Sequence, residues 1–177
     1  FFAGCTVGAF AALAVIAVLL QKASYLQDSI TVGHYHDIGK FLFGFVFFWG
    51  YIAFSQYMLI WYANLPEETG WYMARQSNGW AVVSVLLLFG HFLIPFCGLM
   101  SRRAKRNKVV LAAWGGWLLV MHWIDLYWLA MPKPASGPAF GIVDILCLVG
   151  MLSLYAAILL RIATDRGLLP QRDPWLA

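Results

Sequence analysis

Charge is the scarcest property of this sequence. Asp, Glu, Lys and Arg together make up 11% of the residues, while 62% are hydrophobic. A soluble domain is about a quarter charged and about half apolar. So little charge argues against a water-exposed globule and points to a bilayer as the solvent. The positive charge is also confined. The net charge is +4, and Arg102, Arg103, Lys105, Arg106 and Lys108 supply five positive charges, leaving −1 for everything else. A single basic loop of this kind does not make the spread basic face of a nucleic-acid binder.

Paired cysteines are missing too. Cys5, Cys97 and Cys147 are far apart in apolar runs, with no CxxC, no CxxCH haem-attachment site and no ferredoxin-like spacing. The expectation is three buried, inert thiols. Low-complexity linkers, repeats of 20–50 residues and a soluble domain are likewise missing. Phe1 already lies in an apolar run, and no basic segment precedes it to make a signal peptide. The expectation is a piece of a longer chain.

Long hydrophobic runs are what the sequence has in abundance. Five stand out, at about 1–20, 40–62, 79–100, 109–130 and 139–160, each close to the roughly 20 residues that cross about 30 Å of hydrocarbon as a helix. The alternating signature of barrel strands is not there, and an open sheet cannot satisfy its backbone in lipid. The fold class expected is an all-α integral membrane protein, with residues 1–177 forming one transmembrane helical domain. Nine Trp and eight Tyr suit the interfacial belts of such a protein.

Orientation follows from the basic residues. If 101–108 faces the cytoplasm, alternation puts 21–39 and 161–177 there as well, and puts 63–78 and 131–138 outside. Lys22, Lys40, the five basic residues of the loop, Arg161, Arg166 and Arg172 are then inside, against Arg75 and Lys133 outside. Ten against two sets the C-terminus on the cytoplasmic side. In the outer loop, Pro66 is placed to open a short helix with Glu67 and Glu68 in its first turn. In the first span, Gly4, Gly8 and Ala12 make a small-residue stripe that lets helices approach closely.

Ionisable groups at bilayer depth are costly and mark functional candidates. Four occur here: His91, His122, Asp125 and Asp144. Counted from the outer span ends, Asp125 and Asp144 lie about 7–8 Å deep, His122 about 12 Å and His91 about 18 Å. Gln56 and Tyr57 fall about 8–9 Å deep. His122 and Asp125 are i, i+3 and share a helix face, as do Ser84 and His91 seven apart. Asp144, Met151 and Tyr155 line one stripe of the last span. Pro95 has no N–H for the carbonyl of His91, which is thereby freed. His91, His122, Asp125, Asp144 and Tyr155 together read as a proton path opening outward. Tyr57, His122, Trp123, Asp125 and Trp128 read, alternatively, as a quinone head-group pocket. Interhelical hydrogen bonding is the plain structural reading of the two histidines. A haem clamp is disfavoured by the roughly 6 Å depth difference between them, and a metal by the lack of a third ligand spaced for it. A secondary transporter would want paired broken helices, and only Pro95 breaks a span.

Several segments carry a family resemblance. They are His36-Asp37-Ile38-Gly39-Lys40, FSQYMLIWYANLPEET at 54–69, HFLIPF at 91–96, LMSRRAKR at 99–106, HWIDLYW at 122–128 and PQRDPWL at 170–176. In this order they resemble the ActF subunits of bacterial alternative complex III, within the NrfD-like (polysulfide-reductase membrane subunit) family. The match runs from about residue 34 to 176, and the first span shares only hydrophobicity. The resemblance implies the C-terminal half of a bundle of about ten spans in the bacterial inner membrane. It also implies a respiratory quinol:electron-acceptor (cytochrome c) oxidoreductase complex, in which this chain is scaffold and proton route and quinol oxidation happens elsewhere. The implied partners are a sister NrfD-like subunit, an iron–sulfur subunit and c-type cytochromes. Haem and iron–sulfur clusters would sit on those partners, with none bound by this chain. Menaquinone or another quinone is the one ligand the chain itself could meet. His91, His122 and Asp125 fall inside the matching motifs; Asp144 and Tyr155 do not.

Overall fold

A computed structural model describes residues 1–27, 29–132 and 137–165. Lys133, Arg166 and Arg172 of the charge count, and the 170–176 segment, lie outside the described residues. The described residues are 86% helical and contain no strand, as an all-α protein should. The elements are α1 (Phe2–Lys22), α2 (Val32–Ala63), α3 (Pro66–Gln76), α4 (Trp80–Leu87), a π-helical segment (Leu88–Leu93), α5 (Ile94–Met100), α6 (Arg102–Arg106), α7 (Lys108–Ala130) and α8 (Ile142–Asp165). Five helical stretches are long and apolar enough to cross a membrane: Phe2–Lys22, Val32–Ala63, Trp80–Met100, Lys108–Ala130 and Ile142–Thr164. This is a multi-pass membrane protein.

The chain divides into a unit of residues 1–138 and a unit of residues 139–177. In the first, α1 packs between α2 and α7. Val7, Ala11, Ala14, Leu42, Val46, Leu99, Leu111 and Leu118 form the heart of the core. The buried small-residue stripe of α1 runs through Gly4, Gly8 and Ala11, one residue off the expected Ala12, because at 3.6 residues per turn a buried line drifts between fourth and third neighbours. Its closeness is measurable at Gly115 of α7, where a Cβ would come within 2.8 Å of the Ala11 carbonyl oxygen. Cys5, Cys97 and Cys147 are all exposed, against expectation. They sit on outward faces of their spans, where an apolar thiol suits lipid as well as a core.

The second helix begins eight residues before the expected span. Thr31 caps it: its N–H donates to His34 Nδ1 at 3.0 Å, and buried Tyr35 anchors the first turn by donating its hydroxyl to Gln21 Oε1 at 2.9 Å. The polar residues that hid this turn from a hydropathy reading are its exposed face, where Asp37 pairs with Lys40 at 2.8 Å. At the other end Asn64 takes the left-handed conformation and closes α2. Pro66 then opens α3 at its first turn with Glu67 and Glu68, as expected.

The third span is irregular in the middle. Ile94 N–H bonds to the Phe89 carbonyl, a π-type i→i+5 link. In that register the carbonyl left without a partner by Pro95 is that of Gly90, not His91. Trp117 Nε1 donates to it at 2.8 Å.

In the second unit, α8 opens with Asp144 in its first turn, and the Gly141 N–H donates to its carboxylate at 2.8 Å. Asp144 therefore sits at a helix start, where negative charge is favoured, rather than about 7–8 Å into a span.

Candidate functional site

Three of the ionisable candidates converge. His91 comes from the π segment, His122 and Asp125 from one face of α7. One ligand-capable atom from each lies within 4.8 Å of the other two. The His91 and His122 ring centroids are 6.2 Å apart. His91 is fully buried and Asp125 is 3% exposed.

Each side chain is held by packing against other helices. His122 lies against the two glycines of α1: a Cβ at Gly4 would be 2.8 Å from its Cε1, and one at Gly8 3.0 Å from its Cδ2. Trp49 of α2 closes the other side. Its ring lies 4.2 Å from that of His91, centroid to centroid, and its Nε1 donates to Asp125 Oδ2 at 3.2 Å. The π segment turns His91 toward this point while Gly90 gives way to the Met121 side chain.

The hydrogen bonding of the cluster is incomplete. Both ring nitrogens of His91 and Nδ1 of His122 are buried with no hydrogen-bond partner among the described residues. His122 Nδ1 stands 3.9 Å from Asp125 Oδ2, beyond direct hydrogen-bonding reach. Buried polar nitrogens without partners are rare and costly, each by about 1–3 kcal/mol. Three of them beside a carboxylate make a place suited to a small polar guest.

Two guests fit the donor set. Two imidazoles and one carboxylate could ligate a first-row transition ion. The expectation that no third ligand accompanies the histidines is thus overturned: it counted spacing within each helix, and the third group arrives by packing. Yet one carboxylate leaves a divalent ion with net positive charge at bilayer depth, which is expensive. Water with a mobile proton meets the same nitrogens at lower cost.

The other residues fall elsewhere. Tyr57 packs edge-on against Tyr72, Tyr72 against Trp71, and Trp71 against Trp128. Tyr57 and Trp128 thus end one aromatic series that runs through Tyr72 and Trp71 of α3. Gln56 is exposed, on the part of α2 beyond Gly50, the last buried residue of that helix. Ser84 does not face His91: it donates to the Arg75 and Trp80 carbonyls and accepts from Trp128 Nε1 at 2.8 Å. The π segment between Ser84 and His91 breaks the seven-residue count. Trp123 belongs to α7 and is half-buried. Asp144 and Tyr155 belong to the second unit.

Two residues escaped the sequence reading. Trp49 lies about 20 Å below the outer end of its span by residue count, where the interfacial belt gives no reason for a tryptophan. An indole N–H at that depth needs an acceptor, and that was the available signal. Arg75 counted only as an outer charge. In fact it is 4% exposed, and its guanidinium donates to the carbonyls of Trp71, Trp128 and Leu129 at 2.9, 3.1 and 2.7 Å. It also lies 3.4 Å from the Trp71 ring centroid. Arg75 thus caps the C-terminal end of α7. Burial lowers its pKa from the ordinary guanidinium value, and burial raises that of the Tyr72 phenol beside it.

No protein-family model matches this chain, and no curated protein matches it.

Proposed function

We propose that this chain is a membrane subunit of a quinol-oxidising respiratory complex in the bacterial cytoplasmic membrane, serving as scaffold and as a proton route through His91, His122 and Asp125. Quinol chemistry would occur on a partner. The family reading, NrfD-like and of the ActF type, rests on the ordered motifs from His36 to Trp128. The cytoplasmic placement of 101–108 rests on the ten-to-two charge asymmetry.

The observation that carries the proton reading is the set of three buried, unpartnered ring nitrogens beside Asp125. A neutral imidazole can take a proton on one nitrogen and release it from the other. The 3.9 Å gap between His122 and Asp125 is a distance that one bridging water spans. Trp49, donating to the carboxylate, fixes which oxygen faces the imidazole. The proton would pass between Asp125 and His122 through that water, and on to His91 across the 6.2 Å between ring centres. The quinone-pocket alternative needs Tyr57, Trp128 and His122 around one cavity, and their division between two clusters does not favour it. A transporter site is supported only by the single break at Pro95.

The test uses the full-length protein in its native complex. Asp125→Asn should assemble normally, co-purify with haem-containing partners and lose most proton translocation after reconstitution. Wild-type translocation would refute the route. Purification without any haem protein would refute the respiratory assignment.

A further inference from the structure

A separate crevice of about 940 Å3 lies at the end of the first unit opposite α3, lined by Gln21, Ile30, Thr31, Tyr35, Arg103, Arg106 and Lys108 among others. Its two walls differ in chemistry. The connection after α1 and the first turn of α2 supply Ile30, Val32 and Tyr35, while α6 and the start of α7 supply Arg103, Arg106 and Lys108.

No ion pair to these cations occurs among the described residues. No carboxylate lines the crevice among the described residues. The acid of α2 at this end, Asp37, is paired with Lys40. Lys108 reaches only the neutral Gln21 Oε1, at 3.5 Å. Lys105, on the same short helix, is otherwise employed: its stem packs on Gly39 and its ammonium lies 4.7 Å from the Phe43 ring centroid. Arg103 and Arg106 are left facing the crevice. Three cations at the ends of three spans, facing a wall where Ile30, Val32 and Tyr35 stand beside polar Gln21, Gln27 and Thr31, match a ligand with a phosphate and glycerol at one end and hydrocarbon at the other.

We infer that this crevice binds the phosphodiester head group of an anionic phospholipid, with Arg103, Arg106 and Lys108 meeting the phosphate and Ile30, Val32 and Tyr35 meeting the glycerol and upper acyl region. Planar guanidinium forks suit phosphate oxygens, and basic pockets at span ends recognise such head groups. The site is independent of the proton route and of the respiratory assignment.

The experiment is photo-cross-linking in native membranes. A phosphatidylglycerol analogue carrying a diazirine near its head group is compared with the matching phosphatidylcholine analogue. In the wild-type protein the anionic probe should label peptides covering 27–35 and 103–108, and the zwitterionic probe should not. Arg103→Gln combined with Arg106→Gln should reduce labelling about thirty-fold, from roughly 1 kcal/mol for each basic residue near the surface. Lys40→Gln, at the same end but outside the crevice, should leave it within about two-fold. Equal labelling by both probes, adducts only elsewhere, or equal loss in Lys40→Gln would overturn the inference. Suppression of adduct formation by inorganic phosphate added before irradiation would assign the crevice to a soluble anion instead. The wild-type adduct map decides the matter even if the double variant fails to assemble.

Discussion

The imidazole of His122 lies where a side chain on Gly4 would have to go, since a Cβ there would also come within 3.2 Å of Asp125 Oδ2. A small residue in a membrane helix ordinarily lets two backbones approach. Here two of them let a polar ring lie against a helix at bilayer depth, and the ring is fixed by α1 as much as by its own helix.

Gly4→Ala and Gly8→Ala should therefore each destabilise the protein by about 1–3 kcal/mol through overpacking. Gly116→Ala, at a glycine with nothing within 4 Å of a new Cβ, should fall within about 0.5 kcal/mol of wild type. Denaturant titration in mixed micelles measures all three. A Gly8 variant as stable as the Gly116 variant would contradict the packing of His122.

Trp49→Phe keeps a ring against His91 but removes the donor to Asp125. The expected cost is about 1–2 kcal/mol. In the Asp125→Asn background the same change should cost less, with a coupling of about 1 kcal/mol in the double-mutant cycle. Zero coupling would mean that the indole N–H does not contribute through the carboxylate.

Arg75→Gln removes the fork that serves three carbonyls and should cost about 2–3 kcal/mol. Arg75→Lys should restore little of it, because an ammonium cannot reach several carbonyls in one plane. Thermal unfolding of the two variants side by side is the check, and full recovery with lysine would show that charge alone is what matters.

Membrane sidedness is open to labelling. Arg102 and Glu67 are both exposed, so Arg102→Cys and Glu67→Cys can be introduced singly in a background where Cys5, Cys97 and Cys147 are alanine. An impermeant maleimide applied to intact cells should label the Glu67 position and not the Arg102 position. The reverse pattern would invert the topology.

The spans were legible in the sequence because burial in lipid needs about 20 apolar residues in a row, a one-dimensional property. The start of α2 was not, because polar His34, His36 and Asp37 lower its hydropathy, while its ties to the bundle run through Tyr35, Ile38 and Gly39. The pairing of His122 with Asp125 follows from i, i+3 spacing. The arrival of His91 and Trp49 does not: it depends on how α2 and the third span pack around α1, which no local period encodes. Asp144 was placed too deep because its helix begins at Ile142, three residues after the estimated span edge.

The π segment at Leu88–Leu93 holds one more residue in its turn than an α-helix would. The third span therefore has two helical frames, one on each side of it, offset by that residue. Deleting one residue within 88–93 should leave the two ends in phase, whereas winding 88–93 as a regular α-helix without removing a residue would rotate Trp80–Leu87 by about 100° relative to His91. Trp80 would turn away from Tyr127, its stacking partner at 5.7 Å, and Ser84 away from Trp128. The extra residue acts as a phase adjuster: it lets one rod serve the aromatic layer at one end and the histidine cluster at the other, though no unbroken helix of the same sequence could face both.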